Sequence, residues 1–228
     1  MLGFDAAVPD WTEPATLVEG DVRDRALLQK LIRPSSLVIH LATGQRDGWD
    51  GLLAVDMLAT KLLLDTAVAG RARRVVIASS NHVVGGFELD FCSRGTAPGL
   101  GITSPRDAVE PTDPIRPDSE YGAAKAFAEA YGRYVAETTA LKVSCLRIGT
   151  VAHPDDPSAH AESPRFRRIP GGREGVERRL RATWLYHDDL VRILREEIDA
   201  DERFRLRFAV SDNPGRFWSL RTYRWNGS

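Results

Sequence analysis

Three apolar runs of strand length constrain the fold more than anything else in this chain: Leu37 to Ala42, Arg74 to Ser80 and Val143 to Ile148. A strand that is apolar on both faces cannot leave either face to water, so the pattern asks for a parallel sheet covered by helices. The stretches between the runs supply those helices. From Gly51 to Ala69, Leu52, Leu53, Val55, Leu58, Leu62, Leu63 and Val68 recur at helical spacing, and Gly70 can end the helix. Val18 to Asp24 reads as a strand end turning into a helix, with Asp24 as cap for Arg25 to Leu31. A helix starting at Pro117-Asp118-Ser119-Glu120 and another from Trp184 to Glu197, capped by Asp188 or Asp189, are expected next, then a strand from Phe204 to Val210. Strands alternating with helices predict a doubly wound α/β fold.

The 228 residues, 43% hydrophobic and 28% charged, can bury one sizeable core, so a single domain over 1–228 is expected. Two long polar connections, about 86–117 and 150–187, stand out as a smaller substrate-binding portion, since long loops inside a compact domain tend to be functional. With 31 basic against 32 acidic residues there is no electrostatic case for nucleic acid or an anionic membrane. Cys92 and Cys145 are too few for a disulfide framework and lack metal-ligand spacing. No stretch approaches 18 apolar residues and no basic segment leads into an apolar one at the start, so a cytoplasmic protein with no membrane partner is expected.

Tyr121 and Lys125 carry the chemistry. Four residues apart on a helix, they present a phenol and an ammonium on one face. A phenol has a reference pKa of roughly 10, and a nearby cation favours its phenolate, so Tyr121 is expected to have a lowered pKa and to take a proton from an alcohol. Ser80, at the end of the strand Arg74 to Ser80, can hold the same substrate oxygen.

Ala78-Ser79-Ser80-Asn81-His82-Val83-Val84-Gly85, Arg116-Pro117-Asp118-Ser119-Glu120-Tyr121-Gly122, Arg147-Ile148-Gly149-Thr150 and Ala182-Thr183-Trp184-Leu185 together resemble the extended short-chain dehydrogenase/reductase family (NAD-dependent epimerases and dehydratases), most of all its uronate dehydrogenases. The resemblance runs from about Asp21 to Ser219. It implies a Rossmann-like fold, NAD as cofactor, and a sugar acid, galacturonate or glucuronate, oxidised at C1 to a lactone by Ser80, Tyr121 and Lys125. It also implies that Asp5 binds the adenosine ribose hydroxyls and so favours NAD over NADP, that Asp21 and Val22 contact the adenine, and that Leu41 and Ala42 line the cofactor beside Tyr121 and Lys125. Asn81, His82 and Thr150 would meet the sugar, and Arg179, five residues before Trp184, its carboxylate.

Several features depart from that pattern. The sequence holds no Gly-x-Gly-x-x-Gly or Gly-x-x-Gly-x-x-Gly, which implies that the first strand, its glycine turn and the first helix lie upstream of Met1; the C-terminal residues Arg221 to Ser228 also look cut short. Asp56 stands where relatives usually have Asn, either as an anion beside the cofactor or as a solvated helix residue. The segment from His153 to Arg181 is polar, with seven arginines from Arg165 onward. Two alternatives stay open: a nucleotide-sugar epimerase or dehydratase of the same family, and a cofactor-free remnant acting as a binding or regulatory module. Homo-oligomerisation is left open, and no metal is expected.

Overall fold

The computed structural model describes residues 2–5, 16–88, 108–166, 169 and 172–227, with backbone alone for 2–5, 16 and 17. Cys92 and most of the loop expected at 86–117 lie outside these residues. Seven strands form two sheets among them. β1 (Leu2–Asp5) and β2 (Thr16–Glu19) make a parallel pair. β3 (Leu37–His40), β4 (Arg74–Ser80), β5 (Lys142–Ile148), β6 (Phe204–Ala209) and β7 (Thr222–Trp225) make a five-stranded sheet in that order, parallel except for β7.

The helices cover both faces, as the apolar runs require. Val75 and Ile77 on β4 and Val143 and Cys145 on β5 pack with Leu63, Leu64, Ala128, Val135 and Ala136, which come from α3 (Thr60–Ala69) and α4 (Glu120–Thr138). Val76 and Leu146 face the other way, against Leu185 and against Ile193 of α6 (His187–Asp199). α1 (Arg25–Leu31) starts where expected, because Asp24 accepts the Ala26 and Leu27 amides; such a cap is worth about 1 kcal/mol.

Three expectations are corrected. β3 is not buried on both faces: it forms an edge of its sheet, and Ile39 is 38% exposed. α6 is capped from a distance, since Asp155 accepts the His187 amide at 2.8 Å, while Asp188 and Asp189 sit inside the first turn. The arginine-rich polar segment contains a helix, α5 (Gly172–Thr183), whose buried Val176, Leu180 and Ala182 its charged residues obscure in the sequence. Thr222–Trp225, for which no element was expected, form β7 antiparallel to β6.

The expected helix from Gly51 to Ala69 has an unexpected middle. α2 (Gly48–Gly51) runs into a π-helical segment, Leu52–Ala59, before α3 begins. Wider helical turns of this kind tend to occur at functional sites, and this one carries Asp56 into the interior, 1% exposed.

Candidate active site

Ser80 ends β4 and caps the short turn Asn81–Val84, its hydroxyl accepting the His82 amide at 3.2 Å. α4 starts close by, where Ser119 caps it by accepting the Gly122 amide. Gly122 is required by this approach: a Cβ there would stand 2.3 Å from the His82 carbonyl oxygen. The contact brings the first turn of α4 against the end of β4, with the Tyr121 phenol near enough to Ser80 for that hydroxyl to act on it. Lys125 follows one turn on, its ammonium 5.5 Å from the centre of the Tyr121 ring. Ser80, Tyr121 and Lys125 therefore come together.

One turn further along the same face, Glu129 fixes the helix to the sheet. Its carboxylate receives the Ser79 hydroxyl at 2.5 Å and both the Nε and Nη2 of Arg147 on β5, at 3.0 and 2.8 Å. Arg147 Nη1 also reaches the Pro111 carbonyl oxygen. All three side chains are buried. Sequence reasoning missed this clamp, although the spacing of Tyr121, Lys125 and Glu129 puts them on one helical face.

The environment of the phenol corrects the expected lowering of its pKa. Burial, and then the negative charge of Asp56, push Tyr121 above its ordinary value, against a smaller downward effect of the Ser80 hydroxyl and the Arg165 charge. The reason is where the lysine charge goes. Lys125 Nζ lies 2.9 Å from Asp56 Oδ1. The other Asp56 oxygen accepts the Gly44 amide at 2.8 Å and the Thr43 hydroxyl at 3.1 Å. Asp56 is neither solvated nor idle: it ties the segment leaving β3 to the lysine. His40, at the end of β3, is buried with its Nε2 2.8 Å from Thr60 Oγ1, and burial, helped by the Lys125 charge, lowers its pKa to about 4.

Around this centre stand the other residues singled out in the sequence. Asn81 is buried, with its Oδ1 3.4 Å from Ser80 Oγ. His82 packs edge-on against the Tyr121 ring, and its Nδ1 bonds Asp118 at 2.8 Å. Thr150, just past β5, spends its hydroxyl on Thr183 at 3.2 Å. Arg179 meets Glu88: its Nη2 bonds one carboxylate oxygen at 3.1 Å and its Nε the other. Glu88 was not foreseen. Asp21 is held by Arg23 and partly exposed, Val22 packs on the main core, and Asp5 ends β1 with its side chain outside the described residues.

Leu41, 64% exposed, and Ala42 follow β3 at the carboxyl edge of the sheet. That edge is where open α/β sheets bind dinucleotides. The Thr43, Gly44, Asp56 and Lys125 bonds connect Leu41 and Ala42 to the Tyr121 centre. An exposed apolar side chain at that edge, and the Lys125 ammonium with donors beyond its Asp56 contact, are groups of the kind that suit a nicotinamide and its ribose.

A mostly parallel sheet with its candidate site at the carboxyl ends of its strands is typical of the dinucleotide-binding class of α/β folds. Within that class the chain belongs to the NAD dependent epimerase/dehydratase family, whose sequence model matches residues 4–203. NAD is the cofactor of that family. The chain is 31% identical over 205 residues to the L-arabinose 1-dehydrogenase (NAD(P)(+)) of Haloferax volcanii, covering 88% of this chain and 75% of that protein. It is 23% identical to the uronate dehydrogenase of Pseudomonas syringae pv. tomato, over 88% of this chain and 61% of that protein. The uronate dehydrogenase structure from Agrobacterium tumefaciens matches its fold with a TM-score of 0.68 at 19% identity, covering 96% of this chain and 70% of that one. Among the described residues no helix is long and apolar enough to cross a membrane, and no cluster of three metal-binding side chains occurs.

Proposed function

We propose that the chain is a sugar dehydrogenase that oxidises an anomeric hydroxyl to a lactone, with Tyr121 as base, Ser80 holding the reacting oxygen and Lys125 on the cofactor side. The observation that carries this reading is the juxtaposition of the Ser80 hydroxyl, the Tyr121 phenol and the Lys125 ammonium. NAD, when bound, takes up the hydride that leaves the anomeric carbon. Leu41, Ala42, Tyr121 and Lys125 would hold its nicotinamide end, and Asp21 and Val22 are assigned to the adenine.

The residues of the chain do the rest. Tyr121, as phenolate, accepts the hydroxyl proton while the C1 carbonyl forms, so one O–H and one C–H bond break and one C=O bond is completed. Ser80 donates to the oxygen and keeps it in line with the phenol. Asn81, His82 and Thr150 are assigned to the remaining hydroxyls, a reading supported by the position of all three just past β4 and β5. Glu129 and Arg147 keep α4 from drifting off β4, which matters because a misplacement of about 1 Å can cost on the order of a hundredfold in rate.

Two substrate classes suit this chemistry. A uronic acid is the one implied by the Asn81-His82 motif and by the likeness to uronate dehydrogenases. A neutral aldose is supported by the likeness to an arabinose dehydrogenase. Following NADH absorbance with arabinose, galactose, galacturonate and glucuronate tests the reading. Turnover of a nucleotide sugar, with none of these four oxidised, would replace it with the epimerase or dehydratase alternative. Absence of NAD binding by calorimetry would favour the cofactor-free alternative.

A further inference from the structure

The segments that leave β4 and β5 are joined across the carboxyl edge of the sheet by one buried ion pair. Glu88 stands eight residues past Ser80, beyond the turn Asn81–Val84. Arg179 lies on α5, and that helix is fastened beside the site: Thr183 gives its hydroxyl to the Arg179 carbonyl and shares a hydrogen bond with Thr150, while the Thr150 amide bonds the Thr183 carbonyl at 2.8 Å. Gly149 permits this, because a Cβ there would lie 2.1 Å from the Thr183 oxygen. The Arg179 and Glu88 side chains are only 12% and 8% exposed.

A guanidinium takes a carboxylate through two parallel hydrogen bonds, and that geometry is what a uronate would need from this protein. Glu88 already supplies it, with its two oxygens engaged by Nε and Nη2. A substrate carboxylate could win the same fork only by expelling Glu88 into a poorly solvated surrounding, and the expelled acid would then repel the incoming one. The Asp56–Lys125 pair is likewise internally neutralised. Arg165 also acts on Tyr121 with its charge, but it is exposed and lies over the Phe166 ring, where water screens it. Among the described residues, the rim next to the reacting hydroxyls is thus short of a buried cation for a sugar acid.

We propose that Glu88 stands in for a substrate carboxylate on Arg179 and so makes this site select a neutral sugar over a sugar acid. The inference rests on the anomeric oxidation proposed above and names its substrate class. Galactose and galacturonate differ only in a hydroxymethyl group against a carboxylate and are the probes of choice. Wild-type protein is expected to show kcat/KM for galactose at least about tenfold above that for galacturonate. In Glu88→Gln, which keeps the shape and removes the charge, the galacturonate-to-galactose ratio is expected to rise by a factor on the order of ten to a hundred. The double variant Glu88→Gln/Arg179→Gln is expected to lose that gain. It also removes the Arg179 charge, so comparison of melting temperatures separates a folding defect from a change in selectivity.

Calorimetric binding of galacturonate to wild type and Glu88→Gln in the presence of NAD gives the same comparison without turnover. Tighter galacturonate binding by the variant supports the proposal, and wild-type preference for galacturonate or an unchanged ratio overturns it. Absence of NADH formation from these two and from arabinose and glucuronate would overturn the anomeric oxidation itself, while the binding comparison still decides the role of Glu88.

Discussion

Lys125 and Asp56 form an ion pair of 2.9 Å in which the side chains are 6% and 0% exposed. The lysine one turn from Tyr121 is therefore matched by an acid, and the acid acts on the phenol as well, raising its pKa together with burial. A base must lose its own proton before it can accept one. A raised pKa thus confines the reactive phenolate to the alkaline side, and oxidation is expected to speed up as pH rises. In Asp56→Asn one of the causes of the raised value is gone while the hydrogen-bonding shape is kept, so the rising limb of kcat/KM against pH is expected to move to lower pH. His40 stays neutral down to about pH 4 and does not confuse the reading. A limb that stays in place, or moves up, would mean that Asp56 does not govern Tyr121.

Tyr121→Phe removes the hydroxyl that Ser80 contacts and leaves the ring packed edge-on against His82. Loss of a positioned acid–base group is expected to lower kcat by a factor of about 10² to 10⁴. Circular dichroism should be unchanged. Residual activity within a few-fold of wild type would transfer the role of base to another group, with His82 the first to examine.

What the sequence revealed, and what it hid, divides along a physical line. The apolar periodicity of β4, β5 and α3, the Asp24 cap and the adjacency of Ser80, Tyr121 and Lys125 depend on local pattern and on the topology those patterns impose, and they could be read directly. The partners of buried charges depend on which segments the fold brings together. Asp56 stood out as a departure, yet nothing local said that a π-helical segment would turn it onto Lys125. Arg179 was singled out by its place before Trp184, but Glu88 lies 91 residues away in the chain. Arg147 in the middle of an apolar strand and Glu129 in register with Tyr121 did carry a signal: an isolated charge on a buried face calls for an opposite partner. α5 and β7 stayed hidden because charged residues mask a narrow apolar face in one, and four residues are too few for a pattern in the other.

The Glu129–Arg147 pair holds α4 to the sheet at 5% and 2% exposure. Arg147→Met is expected to cost about 3 to 5 kcal/mol in stability, because it leaves the Glu129 carboxylate buried with only the Ser79 hydroxyl. Replacing both residues, as Glu129→Leu with Arg147→Met, removes the stranded charge and is expected to cost less than the single change. Urea denaturation of the three proteins checks the order. A double variant less stable than Arg147→Met would show that packing around the pair outweighs its charge.

His40 offers a test of the buried edge of β3 that is independent of catalysis. Its pKa is lowered from 6.5 to about 4 in the folded chain, so below pH 6.5 the unfolded chain binds a proton that the folded one refuses. Stability from this group is complete above about pH 6.5 and declines as the pH falls toward 4, by about 2 kcal/mol at pH 5. His40→Gln can still bond Thr60 but cannot take up that proton. The variant is therefore expected to lose less stability than wild type between pH 7.5 and 5, as read from urea midpoints at the two pH values. Equal losses would mean that the imidazole is solvated enough to titrate normally, and that the Thr60 bond does not seal it from water.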